Sequence, residues 1–184
     1  LRNGTYKVSE FERAVADKLG VGYAHAVTSG SVALKVALKA LGIGPGDEVI
    51  TQSFTFVATV EAIMDVGAIP VITEIDLSLN MDPTDLESKI TAATKAIIPV
   101  HMLGVSCDMD KIMSIAHRHG LPVLEDACEA LGGSYHGQAL GTIGTIGAFS
   151  FDFGKAITTG EGGMIVTNDE ELYKIAREYA DHGH

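Results

Sequence analysis

The chain has 184 residues, 46% apolar and 20% charged, which is ordinary globular usage and argues against disorder. A chain of this length buries one sizeable core, so a single domain is expected. The formal net charge of −11 disfavours nucleic acid or an anionic membrane as a partner, since both are held through basic patches.

In chain order, Ser9-Glu10-Phe11-Glu12 fits a capping box opening a helix with Phe11, Val15 and Leu19 inward, ended by Gly20. Tyr23 to Val27 reads as a strand, Ser31 to Leu41 as a helix closed by Gly42, and Glu48 to Thr51 as a strand. Thr55 to Val66 is a helix and Ile69 to Thr73 a strand, and Asp82-Pro83 starts another helix with a capping carboxylate followed by proline. Ala96 to Val100 and Pro122 to Glu125 are strands separated by the helix Asp110 to His119, with Gly120 behind it. After the glycine-rich stretch Gly132 to Gly147 come strands at Ala148 to Phe151 and Met164 to Thr167, then a helix from Asp169 to Ala180. Strands alternating with helices imply an α/β fold of three layers, a mostly parallel sheet with helices on both faces. In such sheets ligands gather beyond the carboxyl ends of the strands.

No apolar run approaches the ~18 residues of a membrane span, and nothing resembles a signal peptide. Cys107 and Cys128 form no CxxC pair, so they read as free thiols in a reducing cytoplasm. The chain starts at Leu1 rather than Met and stops at His184 just after a helical pattern, so both ends look cut.

Candidate chemistry collects where strands end. Thr28-Ser29-Gly30-Ser31 follows a strand and opens a helix, a turn whose free N–H groups and hydroxyls suit a phosphate. The plainer reading is a serine N-cap. Asp126 ends the apolar run Leu121 to Leu124 and could hold a protonated ring nitrogen, or simply cap the next segment. Glu125 beside it does not form an acid–base pair with it, because adjacent strand residues point to opposite faces. Phe54 or Phe56 could stack on a flat ring, against a default of core packing. His101 follows a strand and could line the site, while His117 and His119 share a helix without facing one another, so no metal site is expected.

Lys155 carries most of the message. Lysine usually ends as a solvated surface residue. Here its neighbours Phe149, Phe151, Phe153, Ala156 and Ile157 are apolar, and flanking glycines point to close packing. A desolvated amine is more often neutral and can form a Schiff base with a carbonyl cofactor, with Ser150 five residues earlier placed to reach its phosphate.

The order of these segments resembles the DegT/DnrJ/EryC1/StrS family of sugar aminotransferases, pyridoxal-phosphate enzymes of fold type I like aspartate aminotransferase. The resemblance is carried by Thr28 to Ser31, Gly44-Pro45-Gly46-Asp47-Glu48-Val49, Ser53-Phe54-Thr55-Phe56, Pro99-Val100-His101, Glu125 to Ala130, and Phe149-Ser150-Phe151 through Lys155 to Gly163. It implies that Lys155 forms the internal aldimine and shuttles the proton, and that Asp126 pairs with the pyridine nitrogen. Ser29, Gly30, Ser31 and Ser150 would hold the phosphate, and Phe56 would stack on the ring. Glu129 would lie near the phenolic oxygen, at a position that is often glutamine. The family's dehydratase branch replaces the lysine with histidine, so Lys155 favours transamination.

The resemblance further implies a homodimer that moves an amino group from glutamate to a keto group on a nucleotide-linked sugar, cycling between pyridoxal and pyridoxamine forms. Family members are longer, so residues 1–184 would be the cofactor-binding large domain, lacking an N-terminal segment and the C-terminal small domain. Three other readings stand beside it: a non-catalytic or regulatory relative that keeps the fold, an enzyme acting on a different keto substrate such as a cyclitol, and a Rossmann oxidoreductase. The last lacks the glycine fingerprint.

Overall fold

The structure, a computed structural model, describes residues 6–181. Its elements in chain order are α1 (Lys7–Leu19), β1 (Tyr23–Val27), α2 (Gly30–Ala40), β2 (Glu48–Gln52), α3 (Val57–Asp65), β3 (Ile69–Thr73), α4 (Pro83–Lys89), β4 (Thr94–Ile98), α5 (Met109–His119), β5 (Leu124–Asp126), β6 (Ser134–Tyr135), β7 (Gln138–Ala139), β8 (Ile146–Ser150), β9 (Gly163–Thr167) and α6 (Glu170–Ala180).

Seven of the strands form two ladders, β3-β2-β4 and β5-β8-β9-β1. Parallel bridges Ile97–Val123 and Val100–Asp126 join β4 to β5, giving the order β3-β2-β4-β5-β8-β9-β1. Only β9 runs against the rest, antiparallel to both β8 and β1. Successive residues point to opposite faces, so each strand supplies two cores. Val49, Ala96, Ile98, Leu124, Ile146 and Ile165 pack with α2, α3 and α6 on one face. Ile50, Ile97 and Val123 pack on the other with Leu86 of α4 and Ile112 of α5. Beside that second cluster, Phe149, Met164 and Val166 are covered from α1 by Ala16 and Phe11. This is the expected three-layer α/β fold with a mostly parallel sheet.

Local details depart from the sequence reading in physically traceable ways. α1 starts at Lys7 after an extended Tyr6 that makes no side-chain cap, so Ser9 and Glu12 lie inside the helix and no capping box forms. Glu12 instead accepts from the Ala26 N–H (2.9 Å) and contacts His25 Nδ1 (3.2 Å), a tertiary contact that outcompetes the local one. α3 begins at Val57 rather than Thr55, because Phe56 is extended (φ −68°, ψ 143°) as its N-cap. β4 and β5 each sit one or two residues away from their expected bounds, and the helix 110–119 is capped by Asp108 and Gly120. The glycine-rich stretch folds a small hairpin, β6–β7, whose two loop residues His136 and Gly137 both have positive φ (50° and 86°), as a tight primed turn demands. At Asp82 the capping expectation holds: its carboxylate accepts from Thr84 N–H at 2.8 Å.

Candidate active site

β1, β4, β5 and β8 run the same way, so their carboxyl ends meet at one edge, where the start of α2 also lies. There a cavity of about 440 Å³ opens. Ser29, Gly30, Ser31, Phe56, Asp126, Glu129, Ser150 and Lys155, the eight residues singled out in the sequence, all line it. A smaller recess of about 250 Å³ adjoins it past Cys128, Glu129 and Lys155, and is closed by Leu103, Leu131 and Ile157.

The start of α2 forms one end. Ser29 is the N-cap; its hydroxyl accepts from Val32 N–H (3.2 Å) and its carbonyl from Ala33 N–H (3.0 Å). The N–H groups of Gly30 and Ser31 precede these and have no intrahelical partner. This turn lies very close to its neighbours: a Cβ on Gly30 would meet Ser150 Cβ at 2.8 Å and Cys128 Sγ at 3.0 Å. On the sheet side, a Cβ on Gly163 would come within 2.2 Å of the Ser29 carbonyl oxygen. Glycine at both positions lets α2 begin directly against β8 and β9.

Asp126 forms the other end. It is 4% exposed. Its Oδ2 accepts from the Thr59 hydroxyl (2.8 Å) and its Oδ1 from Cys128 N–H (3.1 Å). Glu125 points to the opposite face, as the strand geometry requires. There its carboxylate accepts from the N–H groups of Gly141 (2.8 Å), Ile143 (2.6 Å) and Gly144 (2.5 Å) and contacts His101 Nε2 (2.9 Å). Cys107 N–H donates to His101 Nδ1 (3.2 Å), so the Nε2 proton is the one given to Glu125. His101 therefore does not line the site; it is fully buried behind the sheet, drawn there by a carboxylate that needs donors. Phe54 is likewise absent from the cavity lining, while Phe56 is present.

Lys155 differs from its sequence-level setting. The segment 152–161 between β8 and β9 is mostly exposed, with Phe153 at 80% and Ile157 at 57%. Phe153 and Ile157 are turned largely to solvent rather than packed around the amine. Lys155 Nζ instead faces Glu129 Oε1 at 3.6 Å and lies 5.9 Å from the centre of the Phe56 ring. Glu129 is steadied by Leu103 N–H on its second oxygen (3.0 Å), and Leu103 adopts a left-handed φ of 53° to present that N–H. Burial, then the charge of Asp126, pushes the Cys128 thiol well above its ordinary range, which leaves it neutral beside the cavity.

The sequence pattern of the DegT/DnrJ/EryC1/StrS aminotransferase family matches residues 1–184. The chain belongs to this family. Within it, the chain is 51% identical over 166 residues to GDP-perosamine synthase of Caulobacter vibrioides, covering 90% of this chain and 45% of that protein. It is 47% identical to UDP-N-acetyl-3-dehydro-alpha-D-glucosamine 3-aminotransferase of Acidithiobacillus ferrooxidans, covering 94% of this chain and 47% of the relative. The fold superposes on S. venezuelae DesV, solved in complex with a ketimine intermediate, with a TM-score of 0.95 and 40% identity, over 98% of this chain and 49% of that one. The chain thus spans about half the length of these family members.

Among the lining residues that the sequence reading did not single out, Thr59 has a polar role. Thr59 is fully buried and grips Asp126 across 67 positions of sequence. Nothing local distinguishes it from any threonine in an amphipathic helix, so only the fold reveals it.

Proposed function

We propose that the chain is the cofactor-binding large domain of a longer pyridoxal-phosphate-dependent aminotransferase, which moves an amino group from glutamate to a keto group of a nucleotide-linked sugar. The observation that carries this reading is the arrangement around one cavity: anion donors at one end, a buried carboxylate at the other, an amine between. The donor set fits the cofactor. The free N–H groups of Gly30 and Ser31, with the Ser29, Ser31 and Ser150 hydroxyls, suit a phosphate dianion at a helix N-terminus. Asp126 suits a protonated ring nitrogen, Phe56 can pack on the ring face, and a cavity of about 440 Å³ is roomy enough for a small cofactor.

Pyridoxal phosphate supplies a carbonyl that exchanges for an amino group and a ring that delocalises charge from the reacting carbon. The protein's part is placement and proton movement. Gly30, Ser31 and Ser150 would anchor the phosphate, and Asp126 would keep the proton on the ring nitrogen. Lys155 Nζ would hold the cofactor's carbonyl carbon and would be the group that moves a proton at the reacting carbon. Glu129 Oε1 lies 3.6 Å from that amine, close enough to orient it toward the cavity. The relatives named for nucleotide-linked sugars support that substrate class over a cyclitol. Exposed Leu103 and Ile157 beside the recess and Phe153 nearby are suited to burial against a second copy, in keeping with a homodimer, and a cytoplasmic setting suits two free thiols.

A visible absorbance titration with pyridoxal phosphate tests the reading, run on the 184-residue chain and on the full-length protein beside Lys155→Ala. A band that requires Lys155 and bleaches with glutamate is expected in the full-length protein. A folded full-length protein without such a band would overturn the proposal.

A further inference from the structure

We propose that Thr59 is a positioning residue for the cofactor ring: its hydroxyl orients the Asp126 carboxylate toward the cavity. This rests on the cofactor reading above. The direction of the hydrogen bonds follows from their partners. Thr59 Oγ1 lies 2.8 Å from Asp126 Oδ2, and a carboxylate oxygen accepts, so the Thr59 proton goes there. Thr55 Oγ1 lies 2.7 Å from Thr59 Oγ1 and 3.3 Å from the Phe56 carbonyl oxygen; with the Thr59 proton committed to Asp126, the shorter contact takes the Thr55 proton. Two hydroxyls in series therefore point at one carboxylate, and each polarises the next.

A threonine within a helix ordinarily returns its hydroxyl to a carbonyl one turn back. Thr59 instead donates to a carboxylate on the sheet, from a site with no solvent access. With Thr59 on Oδ2 and Cys128 N–H on Oδ1, both oxygens of Asp126 are held by protein donors, which pins the carboxylate plane. The same first turn of α3 holds Phe56 as its N-cap. One helix start thus sets both the group under the ring nitrogen and the aromatic ring beside the cavity. Any rotation of Asp126 would spoil both the distance and the angle to a ring N–H, and the strength of a charge-assisted bond depends on each.

The test uses the full-length protein, with pyridoxal phosphate affinity and the induced circular dichroism of the bound cofactor as readouts. Thr59→Val keeps the shape and removes the hydroxyl, while Thr59→Ser keeps the hydroxyl. We expect Thr59→Val to raise the Kd about 10-fold or more, as loss of a hydrogen bond to a charged group does, and to diminish the dichroism. Thr59→Ser should stay within about 3-fold of wild type and recover the signal, a rescue that a purely space-filling role does not give. Should Thr59→Val fail to fold, Thr55→Val, which removes only the outer hydroxyl, should raise the Kd about 2–3-fold. Valine at either folded position with wild-type affinity and dichroism would overturn the proposal, as would Thr59→Ser behaving like Thr59→Val. A wild-type protein with no Lys155-dependent band overturns the cofactor reading itself, and this claim with it.

Discussion

Gly163→Ala isolates the close approach on which the cavity depends. Gly163 has an ordinary φ, outside the left-handed region, so alanine costs nothing in backbone conformation there. What it lacks is space: the added Cβ would lie 2.2 Å from the Ser29 carbonyl oxygen, 2.4 Å from its carbon and 2.8 Å from the Gly30 nitrogen. Relief requires a movement of roughly 1 Å, since van der Waals contact begins near 3.2 Å or beyond. Every one of those atoms is backbone, so no rotamer change relieves the clash. β9 cannot yield easily either, being paired with β8 on one side and β1 on the other. Overpacking typically costs about 1–3 kcal/mol, and a clash with backbone belongs at or above the upper end. For a domain of this size about 3 kcal/mol lowers Tm by roughly 6–12 °C. Because the displaced atoms are the N-cap and first residue of α2, phosphate affinity should fall with stability. Thermal unfolding is the assay, with Gly44→Ala as control: Gly44 also has an ordinary φ, and its added Cβ would meet nothing within 4 Å. The control should melt within about 2 °C of wild type. A Gly163→Ala protein melting as close to wild type as that control would refute the reasoning.

Glu125→Gln should cost about 3 kcal/mol, because an amide must turn a donor toward a ring of donors at His101, Gly141, Ile143 and Gly144. Hydrogen exchange should quicken at Gly141, Ile143 and Gly144 first, with β2 and β3 still protected. Glu12 is expected to make stability pH-dependent. Burial alone would raise its carboxyl, but hydrogen bonds from His25 and Ala26 outweigh that and hold it below the ordinary 4.5. A depressed carboxylate stabilises the fold above its unfolded value and loses that contribution as pH falls through the folded one. The Tm gap between wild type and Glu12→Gln should thus be full at neutral pH and close on acidification below 4.5. Burial also pushes the Cys107 thiol up to about 12, leaving on the order of one thiolate in ten thousand at pH 8. Cys107 should therefore resist a thiol reagent until the protein unfolds, and Cys128, half-buried and also raised, should react slowly in the cofactor-free protein.

Local signals in the sequence were enough to determine the succession of elements apart from the hairpin β6–β7. Alternation of short β-branched runs with amphipathic helices, capped at Asp82, Gly20 and Gly120, reflects backbone periodicity and capping chemistry that a short window contains whole. The parallel sheet follows from that succession, and with it the edge at which ligands gather. Ser29 to Ser31, Phe56, Asp126 and Ser150 were legible from their places at strand ends and helix starts, Lys155 from its apolar and glycine neighbours, and Glu129 only from the family resemblance. The opposite facing of Glu125 and Asp126 was legible too, from the two-residue repeat of a strand.

Side-chain destinations set by distant partners were not. Phe153 and Ile157 look like core residues by type, yet they stand exposed on the loop between β8 and β9. His101 follows a strand that ends at the cavity, but the buried carboxylate of Glu125 pulls it to the other face. Glu12 gives up a local cap for His25 and Ala26, and Thr59 bonds to Asp126 across the core. For Glu125, Glu12 and Asp126 a carboxylate drawn out of water had to find donors, and which donors lie within reach is decided by how the layers pack rather than by neighbours in the chain.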